Sequence, residues 1–145
     1  MSKLERKKIN ALPKATGSLS AKTTRWPATD PRSTIATSDV FVGDTGSDFY
    51  DVGGRVEQND YFTSVIIELP KNIQSGVHKI GAGGIDARYY VAVGEDEEYY
   101  RAISGEIDLS VSDGYFEAKE FRFAARVGSA GTTAEVYMGS FKISR

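Results

Sequence analysis

The sequence predicts an all-β fold: an antiparallel β-sandwich or curled β-barrel of about eight strands behind a basic N-terminal arm. Three observations predict it. From Glu98 to Ile143 the chain reads YYRAISGEIDLSV, YFEAKEFRFAAR and TAEVYMGSFKI, alternating runs joined at Ser112-Asp113-Gly114 and at Gly128 to Thr132. That is the pattern of strands folding up and down. Shorter runs of the same kind recur at hairpin spacing from Ser38 onward, with no amphipathic helix of useful length between them. Apolar parity also switches inside the last two runs, which calls for bulges and a strongly bent sheet.

In chain order, Ser2-Lys3-Leu4-Glu5 matches a capping box and predicts one or two helical turns through Asn10, stopped by Pro13. A Thr/Ser/Lys-rich run with Gly17, Pro27 and Pro31 completes residues 1–34, read as the arm. Trp26, the only tryptophan, is expected to pin that arm to the body or to dock on a partner. Residues 35–145 are the β domain. Its first strands are Ser38–Val42, Phe49–Glu57 (interrupted at Gly53-Gly54), Phe62–Leu69 ended by Pro70, Gly76–Ile80 and Ala87–Val93. Val65, Ile67 and Leu69 share one face of the third; Tyr89, Val91 and Val93 share one face of the fifth. In the next run Tyr99, Arg101, Ile103, Ile107, Leu109 and Val111 have one parity, while Glu106, Asp108 and Ser110 should face water. Phe121, Phe123 and Ala125 point inward, but Phe116 and Ala118 have the opposite parity, which places a bulge near Lys119-Glu120. Val136 and Met138 against Phe141 and Ile143 place a second bulge at Gly139.

Charge is segregated. Residues 1–34 hold eight Lys/Arg against two acids, a balance of +6; residues 35–145 hold ten against eighteen, a balance of −8. The chain has no cysteine, which excludes disulfides, thiolate metal sites and a cysteine nucleophile and fits a reducing compartment. No signal-type apolar core follows the basic start, and the longest apolar run, Val65-Ile66-Ile67, is far too short to span a bilayer. The expectation is a soluble, cytoplasmic protein without a membrane partner.

Several segments carry a family likeness: Trp26-Pro27-Ala28, the strand from Thr63 to Pro70, Ser75-Gly76-Val77, the run from Tyr99 to Ile107, Phe121 to Ala125, and Gly139-Ser140-Phe141-Lys142-Ile143. In these the chain resembles a group of small all-β bacterial proteins of unassigned function, many of them lipoproteins. The likeness spans roughly residues 60–145 plus Trp26. It implies the fold and no catalytic residues. The cysteine that anchors such lipoproteins is missing here.

Candidate chemistry is sparse. His78 is the only histidine and has no partner motif; it reads as a half-exposed strand residue. Asp44, Asp48 and Asp51, with Glu57 and Asp60, could offer oxygens to calcium but lack the EF-hand spacing; Glu95-Asp96-Glu97-Glu98 is a second acidic turn. Neither glycine pair leads into a helix that could cradle a phosphate. No carboxylate pair stands out among eighteen, so no catalytic residue, metal or cofactor is assigned. Tyr90, Tyr100 and Tyr137 are read as outward and could form an aromatic platform. With Trp26, Lys7, Lys8 and Arg25 of the arm they make the predicted partner surface. The reading is a non-enzymatic protein-interaction or self-assembly module that binds another protein or itself, the acidic body arguing against nucleic acid. Its alternatives are a subunit of a virus-like or fibre-like particle with a basic arm, and a calcium-assisted carbohydrate-binding domain.

Overall fold

The structure is a computed structural model that describes residues 3–44, 48–128 and 131–145, with side chains from residue 6 onward. A short helix, α1 (Lys3–Asn10), precedes ten strands. These are β1 (Thr16–Thr23), β2 (Thr34–Thr37), β3 (Val40–Asp44), β4 (Phe49–Gln58), β5 (Tyr61–Pro70), β6 (Gly76–Gly81), β7 (Asp86–Val93), β8 (Asp96–Ser112), β9 (Tyr115–Arg126) and β10 (Thr133–Ser144). One sheet runs β2-β1-β10-β9-β8-β7-β5-β4-β3, with β6 paired to β8 off this path. Its two edges, β2 and β3, are consecutive in the chain, and the residues leading into β1 bridge to β3. There the Ala15 N–H donates to the Val40 carbonyl at 2.9 Å and the Val42 N–H to the Pro13 carbonyl at 3.2 Å. The result is a nearly closed antiparallel barrel, which leaves little free sheet edge.

The interior is filled by side chains. Tyr89, Tyr100, Phe121, Phe123 and Phe141 are each at most 2% exposed. Phe121 and Phe123 stack at 6.4 Å, and Tyr89 and Tyr100 at 5.5 Å. A second apolar cluster lies outside the barrel, where Ile9 and Leu12 cover Phe41, Phe62, Ile66, Tyr90 and Ala92. The helix is held there by Arg55 of β4, whose buried guanidinium donates to the Ile9 carbonyl at 2.5 Å and the Leu12 carbonyl at 3.3 Å. A cation at these carbonyls satisfies acceptors that a helix C-terminus otherwise leaves open.

The C-terminal bulges fall where parity places them. The β8–β9 register shifts between Asp108, paired with Glu120, and Leu109, paired with Ala118; β10 shifts on both sides of Gly139. At the second bulge the left-handed residue is Met138, with φ 49°, and it is exposed rather than inward. Gly139 serves packing: a Cβ there would lie 2.4 Å from the Phe121 ring.

Three expectations need correction. Residues 16–23, read as arm, form β1 between β2 and β10, with Leu19 and Ala21 in the core. Gly53-Gly54 does not interrupt β4; a Cβ on Gly54 would come within 2.8 Å of Thr37 and 3.3 Å of Leu19, so glycine admits a close crossing. In β8 the parity of Tyr99, Arg101 and Ile103 does not continue to Ile107. An extra residue, Ile103, sits between Ala102 (opposite Ala125) and Ser104 (opposite Ala124), so Tyr100 and Ala102 face inward above it while Ile107 and Leu109 do so below.

Candidate functional site

The loop after β1 carries Trp26 to the end of the barrel at which β5 and β8 begin. The half-buried indole packs on the core and meets Tyr61 edge-on at 6.0 Å. The guanidinium carbons of Arg25 and Arg32 lie 4.2 and 3.6 Å from its ring centroid. Both cations lie within cation–π reach of the ring, so the indole is tied to the loop that carries them. Arg25 binds Glu98 through both carboxylate oxygens, at 2.5 and 3.0 Å, and the Tyr100 hydroxyl donates to the same carboxylate at 2.8 Å. Burial pushes the Tyr100 hydroxyl up to about 12, helped by its bond to Glu98. Burial alone would raise the Glu98 carboxyl, but its bonds from Arg25 and Tyr100 hold it below the ordinary value.

The predicted partner residues are therefore scattered. Trp26 and Arg25 form this plug. Lys7 and Lys8 are exposed on the last turn of α1. Tyr90 points outward as read, but α1 covers it completely. Tyr100 points inward because of the Ile103 bulge and is fully buried, so neither tyrosine can serve an open platform. Tyr137 lies half-buried on β10, opposite Lys22.

Of the other candidates, His78 is half-buried and its Nε2 lies 2.7 Å from the Gln74 carbonyl. Asp44 faces Lys71 at 2.7 Å and Asp51 faces Arg88 at 3.0 Å; the turn residues 45–47 between them fall outside the described residues. Among the described residues, no group of three or more His, Asp or Glu side chains could hold a metal ion. No helix among them is long and apolar enough to cross a membrane.

Sequence reasoning missed the outer wall formed by β8, β9 and β10. Among the described residues, four large apolar side chains are exposed: Phe49, Val77, Ile103 and Met138. Ile103, at 39%, and Met138, at 66%, both sit at bulges of this wall. Between them runs β9, whose Arg122, Ala124 and Arg126 alternate with the inward Phe121, Phe123 and Ala125. The register sets Arg126 directly opposite Arg101. Arg101 and Arg122 keep 72% and 58% of their side-chain surface in solvent while pairing with Asp86 at 3.3 Å and Glu106 at 3.1 Å. The parity breaks were the available signal. A bulge turns one extra side chain out of the pattern, and in β8 and β10 that side chain is apolar.

Compared with protein-family models, curated proteins and solved structures, the chain matches none of them.

Proposed function

We propose that this protein is a non-enzymatic barrel module that binds another protein, or a second copy of itself, through its outer surface. One contrast carries the reading. The barrel interior is packed with aromatic side chains, while Ile103 and Met138 stand on the outer wall in solvent. An apolar side chain held out on a rigid strand is the kind of anchor on which interfaces are built. The sequence-derived alternatives draw less support. Arg6 and Arg25 of the basic segment are committed to Glu57 and Glu98 of the same chain, which leaves fewer cations for nucleic acid inside a particle.

The test is mass by light scattering and chemical crosslinking of the full chain across a concentration series, with a double variant, Ile103→Asp plus Met138→Asp, beside it. The reading expects a self-associated species, or stoichiometric capture of one partner, that the double variant loses. A chain that stays monomeric at every concentration and retains no partner removes the reading.

A further inference from the structure

We infer that the outer edge of β6 is a strand-addition site for an extended segment of a partner protein, one with apolar side chains at alternate positions. The site uses neither Ile103 nor Met138, so it goes beyond the reading above.

The barrel wall has a gap beside β6. Along β8, residues 96–101 pair with β7 and residues 104–109 pair with β6. Across the gap, β5 pairs with β7 only over residues 61–68. Below that point β5 and β6 share no ladder, although only residues 71–75 separate them in the chain. β5 cannot close the gap itself. Pro70 has no N–H, and its carbonyl already accepts from the Ile73 N–H at 3.0 Å.

Two bonds fix which way the β6 main chain points. The Lys79 carbonyl accepts from the Ile85 N–H, and the Gly81 N–H donates to the Ile85 carbonyl, both at 2.9 Å. Odd-numbered residues of β6 therefore point away from β8, and even-numbered ones form its ladder. Among the described residues, the N–H and carbonyl of Val77 and the N–H of Lys79 have no main-chain partner. Val77 is also the most exposed large apolar side chain among them, at 67%. It lines a groove of about 680 Å³ together with Phe49, Pro70 and Ile73, a volume in the range of binding pockets.

These features select the occupant. Unpaired N–H and carbonyl groups at strand spacing are the complement of another extended main chain. A residue placed opposite Val77 puts its side chain on the same face, beside Val77 and over the groove. That favours an apolar residue there and at every second position. A second copy of this chain fits less well. β6 is only six residues long and carries the exposed Lys79, and short length and lysine both keep sheet edges from pairing with one another.

The test is fluorescence anisotropy of the full chain with a labelled hexapeptide alternating valine and threonine. Two further probes carry N-methyl groups on the valines or on the threonines. The wild type should bind the parent peptide. Methylating the valines, whose N–H groups would face Val77, should weaken binding about tenfold or more, and methylating the threonines should change it less than about twofold. Val77→Pro removes only an outward N–H and should also weaken binding about tenfold; Val77→Ser, which keeps that N–H, should weaken it less. Both variants are checked for an unchanged melt, and the methylated peptides decide the question if proline disturbs the fold. Equal binding of the two methylated peptides overturns the proposal, as does no binding by the wild type. A dimer in light scattering that Val77→Pro abolishes overturns it in favour of a second copy on this edge. Ile103→Asp plus Met138→Asp should bind the peptide as the wild type does, so the two readings fail separately: loss of peptide binding in that variant moves the site to the β8–β10 wall.

Discussion

The wall of β3, β5 and β7 and the wall of β8, β9 and β10 are both partly apolar, but only the first is covered. Phe41, Phe62, Ile66, Tyr90 and Ala92 are buried beneath α1, and Arg55 ties the helix end to the sheet. Ile103 and Met138 on the other wall have no such cover. The difference shows what the N-terminal segment is for. Its helix is too short to be stable alone, so it forms on the barrel, over the face that is too aromatic to leave wet. Its next stretch, β1, completes the barrel itself. The uncovered wall is less apolar and more charged, which a monomer tolerates and a partner can use.

Removing residues 1–34 is the harshest test of this division. A dispensable arm would leave a folded body. Here the deletion takes β1 from between β2 and β10, and Leu19 and Ala21 from the core. The expected outcome is loss of a cooperative thermal transition, followed by near-UV circular dichroism; a truncated chain that still melts cooperatively would contradict the closed barrel. A smaller effect is expected from Arg55→Ala, which leaves the Ile9 and Leu12 carbonyls and Asp39 without their donor. It should cost about 2–4 kcal/mol in denaturant titration, and Arg55→Met, which loses the guanidinium over Phe41 but keeps an unbranched apolar side chain, somewhat less. Equal losses would mean that the hydrogen bonds alone hold the helix, whereas no loss in Arg55→Met would mean that packing does.

How much of this could be read from the chain depended on hydrophobic contrast. Strands β3 to β10 were legible because large apolar residues alternate along them. In β1 the inward positions are Leu19, Ala21 and Thr23 and the outward ones Ser18, Ser20 and Lys22. The alternation is present, but Ala and Thr are too small and too polar to register as a core face. Bulges at Lys119-Glu120 and Gly139 were legible because large apolar residues of opposite parity lie on either side: Phe116 and Phe121 at the first, Val136 and Phe141 at the second. The bulge at Ile103 was hidden because Arg101, Ile103 and Ile107 read as one continuous face when Tyr99 is assumed inward. That one slip put Tyr100 outside, and it concealed Ile103 as an exposed side chain. The candidate wall was illegible for a further reason: the Arg88-Arg101-Arg126 row comes from three strands, and only register brings them together.

Titration offers a gentler separation of two regions. The Glu98 carboxyl is held below its ordinary value of 4.5 in the folded chain. Its contribution is therefore present above that value and is lost as pH falls through the folded value. Burial raises the Asp51 and Glu68 carboxyls, against the pull of Arg88, so theirs is present at low pH and fades as pH rises through the folded values. Acid should thus free Trp26 from its Arg25–Glu98 clamp while the α1-covered wall holds. As pH falls below 4.5, Trp26 emission should shift before the β-sheet signal changes, and Glu98→Gln should remove that early step. Emission that moves only with the global acid transition would show the plug and the barrel to be one cooperative unit.

The smallest effect sharpens the contrast most. Met138 gains little from packing at 66% exposure, yet its φ of 49° is strained. Met138→Gly relieves that strain but loosens the unfolded chain, so the net gain should be only about 0.5 kcal/mol; Met138→Val, with a branched Cβ in the same conformation, should lose about 1 kcal/mol or more. Paired melts of the two variants would read this difference. If glycine stabilises the chain while weakening its self-association or its capture of a partner, the methionine is kept at the expense of stability, as a residue selected for contact would be. If glycine leaves both unchanged, Met138 is a tolerated irregularity of the bulge, and Ile103 alone must anchor the wall.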